Sequence, residues 1–293
     1  MWLNCPYLLT MTQVTEAQFS EIYKDHLEWL NSKYKRGKRA LFFRADLSKL
    51  DLSGKNLTAA QFSRCSLRHV NFTSTQLETC SFQDCCFEST KFHHANLKKT
   101  VFIDCSDYAS AFSSADLTDS CFVRFYTIAA NFDNAKMNKC RMSDCSMMSS
   151  SLHEVDLTAS DLASVNFTES SFIAANLTDA VLFSTTLSRC NFTHASHQKM
   201  HIQMGCHFDG AVGLPIYQMV FCDEPMTSTI TVFMPTHDTN SWQFVTDFAS
   251  GTQEQVEALI DQRFKPGSIP HARFKRALNS LMLLAKTNPH YNT

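Results

Sequence analysis

The chain has no surplus of either charge. Its 26 Lys and Arg against 28 Asp and Glu leave a formal balance of −2 over 293 residues, so the basic footprint of a nucleic-acid binder is missing. Glycine and proline are scarce, at seven each, and no Gly-rich phosphate loop occurs. A Gly-x-Ser-x-Gly elbow and a His-Glu-x-x-His pair are also absent. The chain therefore offers no catalytic constellation and implies no cofactor. No apolar run reaches the length that crosses a bilayer. Met1 to Met11 lacks the basic start and cleavage pattern of a signal peptide, and reads as a short disordered lead, with Met11 as an alternative start.

What the chain does have is a period of five. From Leu47 to Phe192 in steps of five there are thirty positions, and twenty-eight hold Leu, Phe or Met, with Asp107 and Thr127 as the exceptions. The same residue types occur only four more times between Ala45 and Ala195, at Leu50, Phe125, Met148 and Phe183. Neither a helix nor an alternating strand gives this period. Two residues before each centre lies a second register, from Ala45 to Ala195, in which twenty-eight of thirty-one residues are Ala, Cys, Ser, Thr or Val. Its exceptions are Leu50, Lys55 and Phe125. A large residue with a small one two places earlier suits extended backbone, where both face one side. Between and after them stand turn-favouring residues such as Asp46, Asn71, Asn96, Thr118 and Thr158, so each pentad reads as a short extended stretch and a corner. A unit this small must stack on its copies to bury anything, which narrows function to surfaces rather than chemistry.

Segments such as Ala45-Asp46-Leu47-Ser48-Lys49, Ala95-Asn96-Leu97-Lys98-Lys99, Ala115-Asp116-Leu117-Thr118-Asp119 and Ala175-Asn176-Leu177-Thr178-Asp179 resemble the pentapeptide-repeat family over about half the chain. The resemblance implies a mainly β fold, a right-handed quadrilateral β-helix with four pentads per coil and the central and small residues inward. Thirty pentads then give about seven and a half coils, ~36 Å long. Residues 1–40 are expected to form a lead and capping helix, 41–209 the β-helix, and 210–293 a small α+β domain. Thr15 to Leu30 carries an apolar stripe (Phe19, Ile22, Tyr23, His26, Leu27, Leu30) and a Thr15–Gln18 capping box, which suits a solenoid end that must be covered. The basic run Lys33 to Arg39 reads as a solvated linker to the first coil.

Seven of the twelve cysteines (Cys65, Cys80, Cys85, Cys105, Cys140, Cys145, Cys190) fall in the small inward register. There they act as small hydrophobes, and free buried thiols point to a cytoplasmic protein. Beyond Ala195 the register fails. Leu214 to Cys222 and Ser228 to Met234 read as strands set apart by Asp223, Glu224 and Pro225. A helix runs from Gly251-Thr252 to Phe264, is broken by Pro266, Gly267 and Pro270, and is followed by a second helix over Arg273 to Lys286. His194, His197, His201, Cys206 and His207 cluster where the repeat ends. Zinc at His197, His201 and Cys206 or His207 is one reading, but His197 and His207 lie on the extrapolated central register, so a degenerate last coil is preferred and no metal is assigned.

Function is therefore sought on the outer surface. Asp107 and Thr127 are twenty apart, so the two broken centres stack and imply one local distortion. Around them the outward positions turn apolar: Tyr108, Tyr126, Ile128 and Met148 on that face, and Val101, Ile103 and Val123 on the preceding one. Such a cluster marks an interface, either with an external partner or with the chain's own termini. The order of helix ending near Trp29-Leu30-Asn31, pentads and strand-rich tail resembles family members of bacteriophage genomes. With no catalytic constellation and an outward apolar cluster, the chain is read as a non-enzymatic module, of phage or mobile-element origin by that resemblance, that blocks or modulates a host protein, with a homodimer as a further partner. The charge balance speaks against direct nucleic-acid binding and the lack of a long apolar run against a membrane. The alternative that the family resemblance implies is a DNA mimic acting on DNA gyrase or another DNA-binding protein. The balance of −4 from 16 acidic and 12 basic residues between Ala45 and Ala195 is weak for that role.

Overall fold

The computed structural model describes residues 11–214, 216–223, 226–233, 242–246 and 250–287. The segment Met1 to Thr10, Glu224, Pro225 and Met234 lie outside the described residues. Every twenty residues the chain completes one coil of a four-sided solenoid. One side is a nine-stranded parallel sheet, from Leu41–Phe43 through Val101–Ile103 and Val181–Phe183 to His201–Ile202. The other sides are held by parallel bridges at the same spacing, such as Asp46↔Ser66, Asp51↔Asn71 and Asn56↔Gln76. Nine stacked strands span ~38 Å.

The corners explain how the chain turns four times per coil with so little glycine. From Arg44 to Lys199 every fifth residue has positive φ, between 48° and 69°, and Gly54 is the one glycine among them. Most non-glycine residues avoid this region, and here the ladder bonds on both sides of each corner hold it. Several corners add a turn bond, such as Leu50 N–H to Leu47 O at 3.1 Å. Asx side chains brace others, as where Asp156 Oδ1 accepts the Thr158 N–H at 3.0 Å.

Inside, like stacks on like. Phe42, Phe62, Phe82, Phe102 and Phe122 form one column with centroid steps of 4.8–5.0 Å, and Phe72, Phe92, Phe112 and Phe132 form another at 4.6–5.0 Å. The three exceptions in the small register are each accommodated. Leu50 is buried. Lys55 lies beside the N-terminal helix, its amine 5.2 Å from the Tyr23 ring. Phe125 is fully buried in the same pentad as the small centre Thr127. Large and small have exchanged places there, and core volume is kept.

Both ends are covered. Helix α1 (Glu16–Asn31) starts at the Thr15–Gln18 capping box and lays Phe19 on Phe42 at 6.0 Å, one more step of the phenylalanine column. Its His26 Nδ1 accepts the Ala40 N–H at 3.1 Å. Thr12–Gln13 pairs in parallel with Ala45–Asp46.

At the far end the repeat does not fail at Ala195. Thr186↔His207 and Asn191↔Val212 still bridge, one residue late, and the positive-φ corners move to Gly205 and Gly210. A single residue inserted after Ile202 shifts the register, so Phe208 takes the centre that extrapolation gives to His207, and His207 faces outward, exposed.

An antiparallel sheet of Ile216–Asp223, Met226–Phe233, Gln243–Thr246 and Ser250–Gly251 closes this end. Phe233 and Val245 join the rod core. Their neighbours Val232 and Phe244 join a second core with helices α2 (Gln253–Arg263) and α3 (Ile269–Thr287). Pro270 does not break the chain between the helices: it sits in the first turn of α3, where no helical N–H is required of it. The two short strands Gln243–Thr246 and Ser250–Gly251 were not expected. Among the described residues no helix is long and apolar enough to cross a membrane.

Candidate functional site

The seven outward apolar residues stand on two adjoining sides of the rod. Val101, Ile103 and Val123 flank the buried centres Phe102 and Phe122 on the nine-stranded sheet. Around the corner, Tyr126–Ile128 pairs with Ser146–Met148. This sets Tyr126, Ile128 and Met148 beside Tyr108, one coil earlier. Each side chain points outward because it lies one residue from an inward centre. Tyr108, Tyr126 and Ile128 are 49, 40 and 42 % exposed, and the other four are half-buried by their neighbours along the columns. None is covered by the described part of the C-terminal cap.

Between the two sides runs a charged corner. Arg124 grips Asp104 through Nε–Oδ1 at 2.5 Å and Nη2–Oδ2 at 2.9 Å, and this bond holds the Asp104 carboxyl below its usual range. Arg64 and Asp84 repeat the pair at 3.7 Å two coils before.

The two broken centres do not distort the backbone. Asp107 N–H reaches Tyr126 O at 2.8 Å and Ala109 N–H reaches Ile128 O at 3.0 Å, as in regular coils. Instead they make a buried polar inclusion beneath the patch. Asp107 accepts hydrogen bonds from the Ser110 hydroxyl and from Thr127 Oγ1, the latter at 2.6 Å. Burial pushes its carboxyl above the usual value of 3.8.

The histidine and cysteine residues at the end of the repeat do not converge. Cys206 is buried, with its thiol pushed up to about 11 by burial. His201 and His207 are exposed on different sides of the last coil. Among the described residues no group of three or more such side chains is placed to hold a metal ion. The ten cysteines whose side chains are described are free, and Cys121, outward between Val101 and Val123, is the only one of these ten not buried.

Three exposed apolar side chains on the same sheet face fell outside the sequence reading: Leu41 at 58 %, Phe43 at 62 % and Phe183 at 38 %. The signal was the same as for Ile103, a large residue next to an inward centre. Leu41 and Phe43 precede Ala45, where the count began. Phe183 was counted but stands apart from the cluster.

A family model described as pentapeptide repeats, in eight copies, matches residues 40–78, 60–98, 128–162 and 160–196. Its matches skip 99–127, the stretch that holds Asp107, Phe125 and Thr127. Among solved structures the chain is similar to the pentapeptide repeat protein Rfr23 from the cyanobacterium Cyanothece 51142, at 22 % identity and TM-score 0.30, over 31 % of this chain and 63 % of that one. It is also similar to full-length QnrB1, a plasmid-mediated fluoroquinolone resistance protein, at 16 % identity and TM-score 0.35, over 59 % of this chain and 84 % of that one. A third is HetL, a pentapeptide repeat protein involved in heterocyst differentiation regulation from Nostoc sp. strain PCC 7120, at 22 % identity and TM-score 0.23, over 64 % of this chain and 90 % of that one. The match thus spans 63 % of the length of Rfr23. No curated protein matches the chain.

Proposed function

This chain belongs to the pentapeptide-repeat family, and from that premise we infer that it is a non-enzymatic binding protein whose mid-rod apolar patch docks a host protein and blocks or modulates it. The observation that carries this reading is the exposure of Tyr108, Tyr126 and Ile128 together on a continuous β surface. Their backbones are fixed by ladder bonds, so presenting them costs little ordering entropy. Aromatic anchors in such clusters typically carry ~2 kcal/mol or more each. The ion-paired corner through Asp104 and Arg124 adds a polar element that orients a partner more than it holds it.

The DNA-mimic alternative needs unpaired acidic stripes. Here Asp84, Glu88, Asp104, Asp116 and Glu169, five of the sixteen acids between Ala45 and Ala195, each stand within 3.7 Å of an Arg or Lys, which interrupts any such stripe and favours the apolar reading.

The test is a parallel purification from source cells of the tagged chain and of its Tyr126→Asp, Ile128→Asp variant. A protein recovered with the parent and lost with the variant, whose β-rich circular dichroism is unchanged, supports the reading. Identical recoveries would sink it. A partner retained by the variant and displaced by duplex DNA would favour mimicry instead.

A further inference from the structure

A second surface lies at the end of the rod that α1 closes, and it is built of different chemistry. From Trp29 to Ala45 the chain holds six cations (Lys33, Lys35, Arg36, Lys38, Arg39, Arg44) and no acid. Helix α1 before it carries Glu16, Glu21, Asp25 and Glu28 against Lys24, so the positive charge is concentrated in this turn rather than over the whole end. Three of these six cations are engaged: Arg36 pairs with Glu28 at 3.6 Å, Arg39 donates to Ala59 O and stands over the Trp29 ring, and Arg44 stands over the Phe43 ring at 5.5 Å. Lys33, Lys35, Lys38 and Arg44 have no carboxylate partner among the described residues.

The run is not a loose linker. Ser32 Oγ accepts the N–H groups of Lys35 and Arg36 at 3.2 and 2.8 Å. Lys38 N–H reaches back to Asp25 O at 3.1 Å. Gly37, at φ +72°, leaves no room for a Cβ, which would lie 2.3 Å from Asp25 O. Lys33 and Tyr34 hold positive φ (54° and 71°) where α1 ends, and their N–H groups reach back to Leu30 O at 3.0 Å and Trp29 O at 2.7 Å.

The turn folds beside an open cleft of about 620 Å³, lined by Ile22, Trp29, Tyr34 and Leu41, with Lys38 and Arg39 on its walls and Asp25 as its one lining acid. Tyr34 and Leu41 are 64 and 58 % exposed.

We propose that this end is a docking site for an acidic peptide segment of a partner protein, with one large apolar side chain in the cleft and its carboxylates facing the cations of the turn. Charge complementarity selects the acidic segment, and the fixed backbone of the turn leaves only the lysine side chains to be ordered on binding. A single-stranded nucleic acid fits less well. The Trp29 ring already has the rings of Tyr34 at 4.5 Å and His26 at 5.6 Å and the Arg39 guanidinium at 6.0 Å against it, so the aromatic platform that a base would stack on is taken. The site is independent of the mid-rod patch and stands or falls apart from it.

The experiment selects a displayed random-peptide library on the full chain at low salt. The best sequence, made as a labelled synthetic peptide, is then titrated against the parent, a Lys35→Glu, Lys38→Glu variant, a Leu41→Ser variant and the Tyr126→Asp, Ile128→Asp variant. Expected are sequences rich in Asp and Glu around one large apolar residue, binding about 10-fold or more weaker to the first two variants and unchanged to the third. All the altered side chains except Tyr126 and Ile128 lie on this surface and are exposed, and unchanged melting temperatures certify the fold. No enrichment, enrichment without acids, or equal binding to the charge-reversed variant overturns the proposal. So does an oligonucleotide of matching charge that binds as tightly as the best peptide.

Discussion

Along the rod, an inward side chain meets its counterpart twenty residues away on either side, as Phe92 meets Phe72 and Phe112. In the C-terminal cap, Phe244, Val256, Ile260, Phe274 and Leu278 come from three elements and share a core with no two contacts alike. Stability in the rod is spread over many equivalent interfaces, whereas in the cap it depends on a few contacts that occur once. The cap also has a task that the rod lacks, since it must satisfy an edge that would otherwise template another strand.

The largest expected effect breaks one column. Phe132→Ala should destabilise by about 3–5 kcal/mol and Leu157→Ala by about 2–5 kcal/mol, because each is fully buried in mid-rod. Thr118→Ala removes a half-exposed hydroxyl bonded to Asp116 at 2.7 Å and should cost under about 1 kcal/mol. Denaturant titration checks both, and equal shifts in the two groups would refute the inward assignment.

The same contrast governs how much could be read from the residues. Any window of the rod repeats the evidence, so thirty pentads fix the period even though Asp107 and Thr127 break it. The cap gives one sample of each element, and the short strands Gln243–Thr246 and Ser250–Gly251 carry too few residues to show alternation. The extra residue after Ile202 was invisible for a related reason: one insertion ends a periodic count although the ladder continues past it. The patch was legible as composition, since outward positions are known once inward ones are. Its depth was not. The exchange of Phe125 with Thr127 and the hydrogen bonds of Asp107 depend on packing between coils, and a one-dimensional pattern shows only that something departs from the rule.

A smaller effect should come from the joint between rod and cap. Gln218 Nε2 donates to Cys206 O at 2.6 Å and to Thr231 Oγ1 at 2.8 Å, and its Oε1 accepts the Phe208 N–H at 2.9 Å. One side chain thus occupies both a donor and an acceptor of the last coil's backbone. Gln218→Leu would leave those groups unsatisfied, at a cost of about 1–3 kcal/mol. The loss should fall on the cap: amide exchange of α2 and α3 should quicken while that of the middle coils stays unchanged. Uniform acceleration through the rod would show that the two regions unfold as one.

The smallest effect tests the place where the rod's central register turns polar. Asp107 is buried with two hydroxyl donors, and burial raises its carboxyl above 3.8. The folded chain therefore binds this proton more tightly than the unfolded chain. The stability that the neutral acid contributes is complete below 3.8 and is lost as pH rises through the folded value. Above that folded value the parent carries a buried charge met by hydroxyls, whereas Asp107→Asn keeps the shape and one of the two acceptor oxygens without the charge. The variant should melt slightly above the parent at pH above the folded value, and the difference should shrink across the acid range as pH falls through it and the parent's carboxyl becomes neutral too. Parallel melts across that range provide the measurement. A difference independent of pH would mean that Asp107 is ionised at the same pH in both states, and that the polar inclusion beneath the patch is open to water.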